Sequence, residues 1–279
     1  MLVMTATPIP RTLALTAYGD MDISVVDEKP KGRTPVKTVA LPLSKLDEVI
    51  LAIKRAITAG AKIYWICPLL EESEALDVAA AKKRFKELSD VFPEQVGLVH
   101  GKMEPSEKDK VMTEFADEMS SLSILVATTV VEVGVDVPIA SVMVIEHAER
   151  FGLAQLHQLR GRIGRGSKES SCVLMYGDNL TSMAKARIDI MRKTDDGFKI
   201  AEEDLRLRGV GEVLGTKQSG FPEFKLADIA TDMDLIHTAA KDAQMIVETN
   251  PSLSGDRGDA LRILLYLFEQ DKNVKLIRG

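Results

Sequence analysis

Arginine and glycine alternate in one short segment of the chain. Three arginines and three glycines fall within the seven residues from Arg160 to Gly166, and Gln158 lies just upstream. Glycine adds little bulk beside the backbone, so planar guanidinium groups can reach phosphate oxygens and bind them through paired hydrogen bonds. We name residues 155–166 the Gly/Arg stretch, and its composition indicates a phosphate-handling surface. The alternative is a solvated basic turn after a helix.

A second candidate segment ends an apolar run at residues 96–100. Gly101 allows a backbone to approach a phosphate closely, and Lys102 supplies positive charge. His100 taken alone is more often a strand-end histidine with its hydrogen bonds satisfied. The pair His100 and Gly101 is therefore a candidate contact for a nucleic-acid backbone.

Residues 127–138 form a third candidate segment. Thr128 and Thr129 follow an apolar run and can donate hydroxyl and amide groups to a phosphate. Gly134 allows a tight turn that presents Asp136. The alternative for Asp136 is an ordinary capping or turn aspartate.

A glycine-punctuated basic strip lies in the last third of the chain. Its polar residues are Arg206, Arg208, Lys217 and Gln218. Such a strip can lie close to a phosphate backbone, and contacts of this kind carry no base information. The alternative is a surface hairpin with satisfied charges.

The elements that position these groups alternate between strands and helices from Thr34 to about Gly177. This alternation predicts an α/β fold with a parallel sheet, because β-branched apolar runs are typical of strands covered on both faces. We expect the chemistry in three loops at the carboxyl ends of strands, the third being the Gly/Arg stretch. The predicted strands are Val36–Leu41, Lys62–Cys67, Val96–His100, Ser123–Thr128, Ser141–Glu146 and Ser171–Tyr176.

Helical spacing predicts the elements between and after these strands. Ser44 is the expected N-cap of the first helix and Gly60 its stop, and Met112, Phe115 and Met119 mark one face of a later helix. Residues 181–192 predict another helix, and two more helical segments surround a turn at 251–258.

Two nucleotide-binding motifs are absent from the sequence. There is no Gly-x-x-x-x-Gly-Lys-[Ser/Thr] loop to hold nucleotide phosphates, and no Asp-Glu-x-[His/Gln] box at the end of an apolar strand to hold magnesium. We therefore expect that the chain alone does not hydrolyse ATP. A strand that starts at residue 2 also lacks upstream neighbours, so we expect the chain to be the carboxyl-terminal part of a larger protein.

Composition narrows the class of protein. The 279 residues are 45% hydrophobic and 28% charged, which is ordinary for a globular protein. A net charge of −6 argues against bulk attraction to nucleic acid but allows a local basic track. No apolar run reaches about 18 residues and no secretory leader is visible, so we expect a cytoplasmic protein without membrane contact. Cys67 and Cys172 lack metal-binding spacing and are expected to be buried, reduced thiols.

Several segments together resemble one helicase family. Residues 158–165 read Gln-x-x-Gly-Arg-x-Gly-Arg, which resembles the sixth motif of superfamily 2 helicases, in the version of the RecG and Mfd translocases. Residues 127–138 resemble the fifth motif, and residues 196–220 resemble the translocation motif that RecG and Mfd share. Segments 27–35 and 146–152 look more like RecG. Val210 and Lys217 depart from the pattern, where proline and arginine are expected.

The resemblance implies a RecA-like parallel sheet with helices on both faces, followed by a mainly helical carboxyl-terminal extension. It divides the chain into the tail of a first RecA-like domain with a linker (1–33), a second RecA-like domain (34–180) and a helical extension with the translocation hairpin and loop (181–279). Arg160 falls outside the motif's spacing and holds either the helix or the DNA.

The resemblance also assigns roles to single residues. Arg162 and Arg165 are the implied arginine fingers, with Gln158, Asp136 and Gly134 in the ATP cleft. Four further residues are implied to couple the ATP state to the grip on DNA: Thr5, Ala6, Thr7 and Glu132. The implied DNA-binding residues are His100, Gly101, Thr128, Thr129, Arg206, Arg208, Lys217 and Gln218.

The implied function is that of an ATP-dependent DNA helicase that drives branch migration at stalled forks and Holliday junctions. ATP and Mg²⁺ would be its cofactors, with the magnesium ligands outside this chain. Its partners would be branched double-stranded DNA and the missing amino-terminal P-loop and wedge domains. The alternatives are an Mfd-like transcription-repair translocase and a DNA-binding module without a motor.

Overall fold

The computed structural model describes residues 4, 24–26, 28, 34–68, 74–128, 137–166, 169–208 and 233–268. The chain divides into two compact units, one containing Val26–Leu207 and the other Arg208–Gly279. Several sequence predictions fall outside the described residues: the first strand and its helix, most of the linker, and the residues Thr5, Ala6, Thr7, Thr129, Glu132, Gly134, Asp136, Val210, Lys217 and Gln218.

A six-stranded sheet forms the centre of the first unit. Every strand pair is parallel, and the order across the sheet is β1-β6-β5-β2-β4-β3. All six strands predicted from the sequence are confirmed, and each bound differs by at most one residue. The strands are β1 Val36–Pro42, β2 Lys62–Ile66, β3 Val96–Val99, β4 Ile124–Ala127, β5 Ala140–Ile145 and β6 Ser170–Tyr176.

Helices lie between most successive strands, because parallel strands need crossover connections. The first unit contains α1 Leu46–Thr58, α2 Glu74–Val91, α3 Pro105–Ala116, α4 Leu153–Arg160 and α5 Ser182–Lys193. Helix α6 spans Gly197–Arg208, and the second unit contains α7 Met233–Thr249 and α8 Gly255–Leu267. Short 3₁₀ turns occupy Leu43–Lys45 and Ala148–Arg150.

Two apolar cores lie on opposite faces of the sheet. Alternate residues of β2 point to different cores: Tyr64 belongs to the core under α3, α4 and α5, whereas Trp65 belongs to the core under α1 and α2. Both side chains are at most 1% exposed. Helices therefore cover both faces, which explains why these strands are apolar at nearly every position.

Two details differ from the sequence prediction. Ser44 is not the N-cap of α1, because it lies within the 3₁₀ turn and Lys45 occupies that position. Met112 and Phe115 are buried as predicted, but Met119 is 91% exposed. Helix α3 ends at Ala116, and the Asp117 carboxylate accepts a hydrogen bond from the Met119 amide at 2.9 Å, which starts a turn. The stop at Gly60 is confirmed, since its φ is +77°.

The carboxyl ends of the six parallel strands lie together at one end of the sheet, which we name the carboxyl edge. Their amino ends lie together at the opposite end, which we name the amino edge. His100, Thr128, Cys67, Glu146 and Gly177 each follow a strand and therefore lie at the carboxyl edge. Helix α4 starts after β5 and returns to the beginning of β6. The end of α4 is therefore at the amino edge.

Candidate functional site

The Gly/Arg stretch lies at the amino edge. Gly164 has a φ of +75°, and a Cβ there would lie 2.8 Å from Cγ2 of Val36 at the start of β1. A Cβ on Gly166 would lie 2.8 Å from the main-chain oxygen of Pro138, just before β5. The expectation that this loop lies at a carboxyl end is wrong, because the loop follows a returning helix rather than a strand. The glycines are needed here for close packing against the sheet.

The three arginines of the stretch differ in exposure. Arg160 is only 3% exposed, Arg162 is half-buried and Arg165 is exposed. Ile163 between them is fully buried and anchors the segment in the core. The guanidinium Nε of Arg165 donates to the main-chain oxygen of Gly161 at 3.1 Å. Arg162 and Arg165 thus keep surface at the amino edge, and Gln158 is half-buried in the preceding helix.

Arg160 holds protein rather than ligand. Its guanidinium donates to the main-chain oxygens of Met191 at 2.8 Å and Thr194 at 3.0 Å. It also lies 3.4 Å from the hydroxyl of Thr38 and 3.2 Å from Nδ1 of His157. Of the two roles that the sequence allowed, the structure supports the one of holding the helix, since this arginine ties α4 to the end of α5.

The carboxyl edge brings His100 and Thr128 together. The Thr128 amide donates to the main-chain oxygen of Val99 at 3.3 Å, so Thr128 lies beside the end of β3. Thr128 is 2% exposed and His100 7% exposed, whereas Gly101 is exposed. Burial lowers the pKa of the His100 imidazole, and the charges of Lys82 and Lys108 lower it further. His100 is therefore mostly neutral at pH 7.

A buried polar cluster lies next to this edge. The Trp65 indole N–H donates to the carboxylate of Glu146, and Nη2 of Arg84 donates to the same carboxylate at 3.2 Å. Nε of Arg84 lies 2.5 Å from Glu146 Oε1 but is not aligned for a hydrogen bond, so we assign this contact to charge attraction. The guanidinium also lies over the Trp65 ring, 5.7 Å from its centroid.

The loop between β5 and α4 is fixed by a second polar cluster. His147 has a φ of +49°, and its Nδ1 lies 2.9 Å from the carboxylate of Glu149. The Gly177 amide donates to the same carboxylate at 3.4 Å, while Arg187 donates to the main-chain oxygens of Phe151 at 2.9 Å and Glu149 at 3.2 Å. Burial alone would raise the pKa of Glu149, but the hydrogen bonds from His147 and from the main-chain amides of Glu149 and Gly177 outweigh it and lower the pKa. The start of α4 is thereby held to α5 and β6.

A cavity of about 520 Å³ opens at the amino edge. Its lining includes Gly166 of the Gly/Arg stretch together with Lys62, Glu118, Ser141 and Ser170. The Lys62 ammonium donates to the main-chain oxygen of Asp117 at 2.5 Å, and burial lowers its pKa against the opposing effect of nearby carboxylates. This lysine therefore ties the end of α3 to the sheet.

The predicted basic strip is described only in part. Arg206 on α6 is exposed, and its Nε donates to the Glu203 carboxylate at 2.9 Å. Arg208 is the last residue of α6, and its side chain lies outside the described residues, as do Lys217 and Gln218. An exposed pair such as Arg206 and Glu203 contributes little stability, so Arg206 can exchange its partner at little cost.

Sequence reasoning missed both polar clusters. A tryptophan inside an apolar strand needs a partner for its N–H, and Glu146 ends another apolar strand; these two signals could have indicated the first cluster. No sequence pattern indicates the contact between Glu149 and Arg187.

Among the described residues, no group of three or more His, Cys, Asp and Glu side chains could hold a metal ion. Within the same ranges no helix is long and apolar enough to cross a membrane.

Family models match two parts of the chain. Residues 45–167 match the helicase conserved C-terminal domain, and residues 194–270 match domain 3, C-terminal, of the ATP-dependent DNA helicase RecG. The first match runs from α1 to the Gly/Arg stretch and includes strands β2 to β5. The second begins at Thr194, whose main-chain oxygen Arg160 binds.

Curated relatives and a solved structure agree with these matches. The chain is 54% identical over 252 residues to the ATP-dependent DNA helicase RecG of Escherichia coli K12, and 50% identical over 251 residues to that of Bacillus subtilis 168. These alignments cover 90% and 89% of this chain but only 36% of each relative, so the chain spans about a third of their length. A structure of RecG bound to a three-way DNA junction is similar with a TM-score of 0.65 and 46% identity, covering 83% of this chain and 30% of that one. The RecA-like fold with a helical extension is thereby confirmed, and the chain belongs to the RecG family of superfamily 2 helicases.

Proposed function

We propose that the chain is the carboxyl-terminal motor half of an ATP-dependent double-stranded DNA translocase. It would drive branch migration at stalled forks and Holliday junctions, and it would act in the cytoplasm. Its relatives are named as ATP-dependent DNA helicases, and a similar structure was determined with a three-way DNA junction. Branched DNA is therefore the substrate that we infer for this chain.

One observation carries the proposal: the sheet separates two kinds of site. Arg162 and Arg165 lie at the amino edge, whereas His100, Gly101 and Thr128 lie at the carboxyl edge. Helix α4 begins after the loop at the carboxyl edge, runs toward the amino edge and carries Gln158 near its end. In this proposal α4 and the loops beside it would link a phosphate-handling edge to a DNA-binding edge.

The arginines would act on ATP held by another domain. A phosphoryl group in transfer spreads negative charge over its oxygens, and an arginine from a neighbouring domain offsets this charge only when the cleft is closed. Arg162 and Arg165 are the proposed fingers because their side chains keep surface at the amino edge. Gln158, Gly134 and Asp136 would line the same cleft. Bound Mg²⁺ would supply further charge neutralisation, with ligands from the P-loop domain.

The remaining assignments follow the family's motifs. His100, Gly101, Thr128 and Thr129 would contact the DNA backbone, and Thr5, Ala6, Thr7 and Glu132 would couple nucleotide state to this grip. Arg206, Arg208, Lys217 and Gln218 would pass the movement to duplex DNA. In this proposal residues 1–33 complete a first motor domain, 34–180 form the second and 181–279 the translocation extension.

DNA-stimulated ATPase activity tests the proposal. We expect no activity from the chain alone, activity after mixing with the amino-terminal P-loop and wedge domains of the Escherichia coli relative, and loss of that activity with Arg165→Ala. Arg192→Ala is the matched control, since Arg192 is an exposed arginine on α5 paired with Asp189 at 3.4 Å.

Each outcome has a distinct meaning. Activity of the isolated chain would reveal a nucleotide site within it. Activity that survives Arg165→Ala, or that Arg192→Ala abolishes equally, would remove the finger assignment. A chain that binds three-way junction DNA but never supports ATPase would be a binding module rather than half of a motor.

A further inference from the structure

Three lysines lie around the carboxyl end of β3. Lys102 is the third residue after the strand, Lys108 is on α3, and Lys82 is on α2. The Lys108 ammonium donates to the main-chain oxygen of Gly101 at 2.8 Å, so it contacts the loop after the strand. The charges of Lys82 and Lys108 both act on the His100 imidazole. Two helices and one loop thus direct positive charge to a single strand end.

Among the residues that the structure describes, no ion pair neutralises these lysines. In the described ranges no carboxylate lies within 4.0 Å of the ammonium groups of Lys82, Lys102 or Lys108. Lys83, the next residue along α2, behaves differently, since it lies 3.9 Å from Glu87. Glu107 is the nearby acidic group whose charge acts on His100 in the opposite sense. The strand end therefore carries a local excess of positive charge on a chain whose net charge is −6.

His100 cannot supply this charge itself. The side chain is buried, and its Nδ1 has no hydrogen-bond partner in the described part of the chain. A buried imidazole beside two ammonium groups resists protonation. Its neutral ring fills space at the strand end, whereas the exposed Lys82 and Lys102 and the half-buried Lys108 can reach an anion.

We infer that Lys82, Lys102 and Lys108 form a phosphate-binding cluster for the DNA backbone, and that this cluster rather than His100 supplies the charge at the end of β3. The inference rests on the proposed function and deepens it. It adds Lys82 and Lys108, which lie outside the sequence segments assigned to DNA contact, and it assigns the positive charge at this strand end to lysines while His100 stays neutral.

The salt dependence of DNA binding tests the inference, because each lysine–phosphate contact releases condensed counterions. The 279-residue chain is titrated against a labelled three-way junction over a range of salt concentrations. Each lost contact should reduce the slope of log K against log salt by about 0.9 for duplex DNA. We expect that reduction for Lys82→Gln and about twice as much for Lys82→Gln with Lys108→Gln, while Lys108→Arg keeps the slope.

Lys83→Gln is the matched control, with the same charge change one residue away on the same helix. A double variant with an unchanged slope, or a Lys83→Gln variant with an equal reduction, overturns the inference. A wild-type slope that steepens by about 0.9 between about pH 8 and pH 6.5 assigns the charge to His100 and also overturns it. Failure of the wild-type chain to bind the junction would contradict the proposed DNA-binding function itself. Unchanged circular dichroism verifies that the variants fold.

Discussion

Arg160 donates a hydrogen bond of 2.8 Å to the main-chain oxygen of Met191, 31 residues away in sequence. The bond joins the last residue of α4 to the last turn of α5, where main-chain oxygens lack partners within the helix. Three arginines stand close together in the sequence, yet this one is buried and structural while Arg165 is exposed. Substitution of Arg160 should therefore lower stability, whereas substitution of Arg165 should lower activity with little effect on stability.

Arg160→Ala should lower the free energy of unfolding by about 2–4 kcal/mol, because it leaves the buried oxygens of Met191 and Thr194 without donors. Arg165→Ala should change it by no more than about 0.5 kcal/mol, as expected for an exposed side chain. Urea unfolding monitored by circular dichroism measures both. Equal losses of stability in the two variants would contradict the division of roles.

A substitution of Glu146 tests the buried polar cluster of Trp65, Arg84 and Glu146, which lies on the other face of the sheet from α4. Glu146→Ala should cost about 3–5 kcal/mol, because Arg84 and the Trp65 indole lose their shared partner in a buried site. Trp65 is the single tryptophan of the chain, so its fluorescence reports unfolding directly. Glu87→Ala removes the other, half-exposed partner of Arg84 and should cost less than about 1 kcal/mol. A similar cost for both variants would argue against a special role of the buried pair.

Glu149 should make stability depend on pH. The pKa of Glu149 is below its usual value of 4.5 in the folded chain, so its contribution is fully present above that value. It is lost as the pH falls through the lowered folded pKa. Glu149→Gln should therefore reduce stability by about 1–2 kcal/mol at neutral pH, and the difference should vanish in strong acid. Glu48→Gln, at an exposed pair with Lys45, is the control; a pH-independent difference for Glu149→Gln would refute the linkage.

A substitution of Gly164 tests how closely the Gly/Arg stretch packs against the start of β1. Gly164→Ala should cost more than about 2 kcal/mol, since it combines a positive φ with a close approach to Val36. Gly255 has nearly the same φ, +77°, but nothing within 4 Å of an added Cβ. Gly255→Ala should therefore cost only about 1 kcal/mol. Scanning calorimetry compares the two, and an equal effect would mean that the contact with Val36 relaxes freely.

The sheet could be predicted from the sequence because its strands are buried on both faces. Lys62–Ile66 and Ile124–Ala127 are apolar nearly throughout, and such runs identify a covered parallel strand without further information. The position of the Gly/Arg stretch could not be obtained in this way. Its residue types indicate phosphate binding, but the edge at which it lies depends on the direction of α4.

Two long-range polar contacts could not be predicted for a different reason. Arg160 and Thr194, or Glu149 and Arg187, are brought together by packing between helices and strands that are distant in sequence. The sequence left two roles open for Arg160, holding the helix or the DNA, and its burial identifies it as a structural residue. His147 shows the same limit, since its positive φ follows from the turn that Glu149 and Arg187 fix.

The two cysteines provide a test of the cores. Cys67 and Cys172 are free and buried, as predicted from the sequence. Burial raises the pKa of both thiols, to about 12 for Cys172, where the charge of Arg160 only partly offsets the effect. Since the thiolate is the reactive species, neither should react with a thiol reagent in the folded chain at about pH 8. Both should react fully after unfolding in denaturant. Arg160→Ala should speed the reaction of Cys172 in the absence of denaturant, because loosening α4 exposes that core more often; rapid labelling of the wild-type chain would contradict the packing described for both faces.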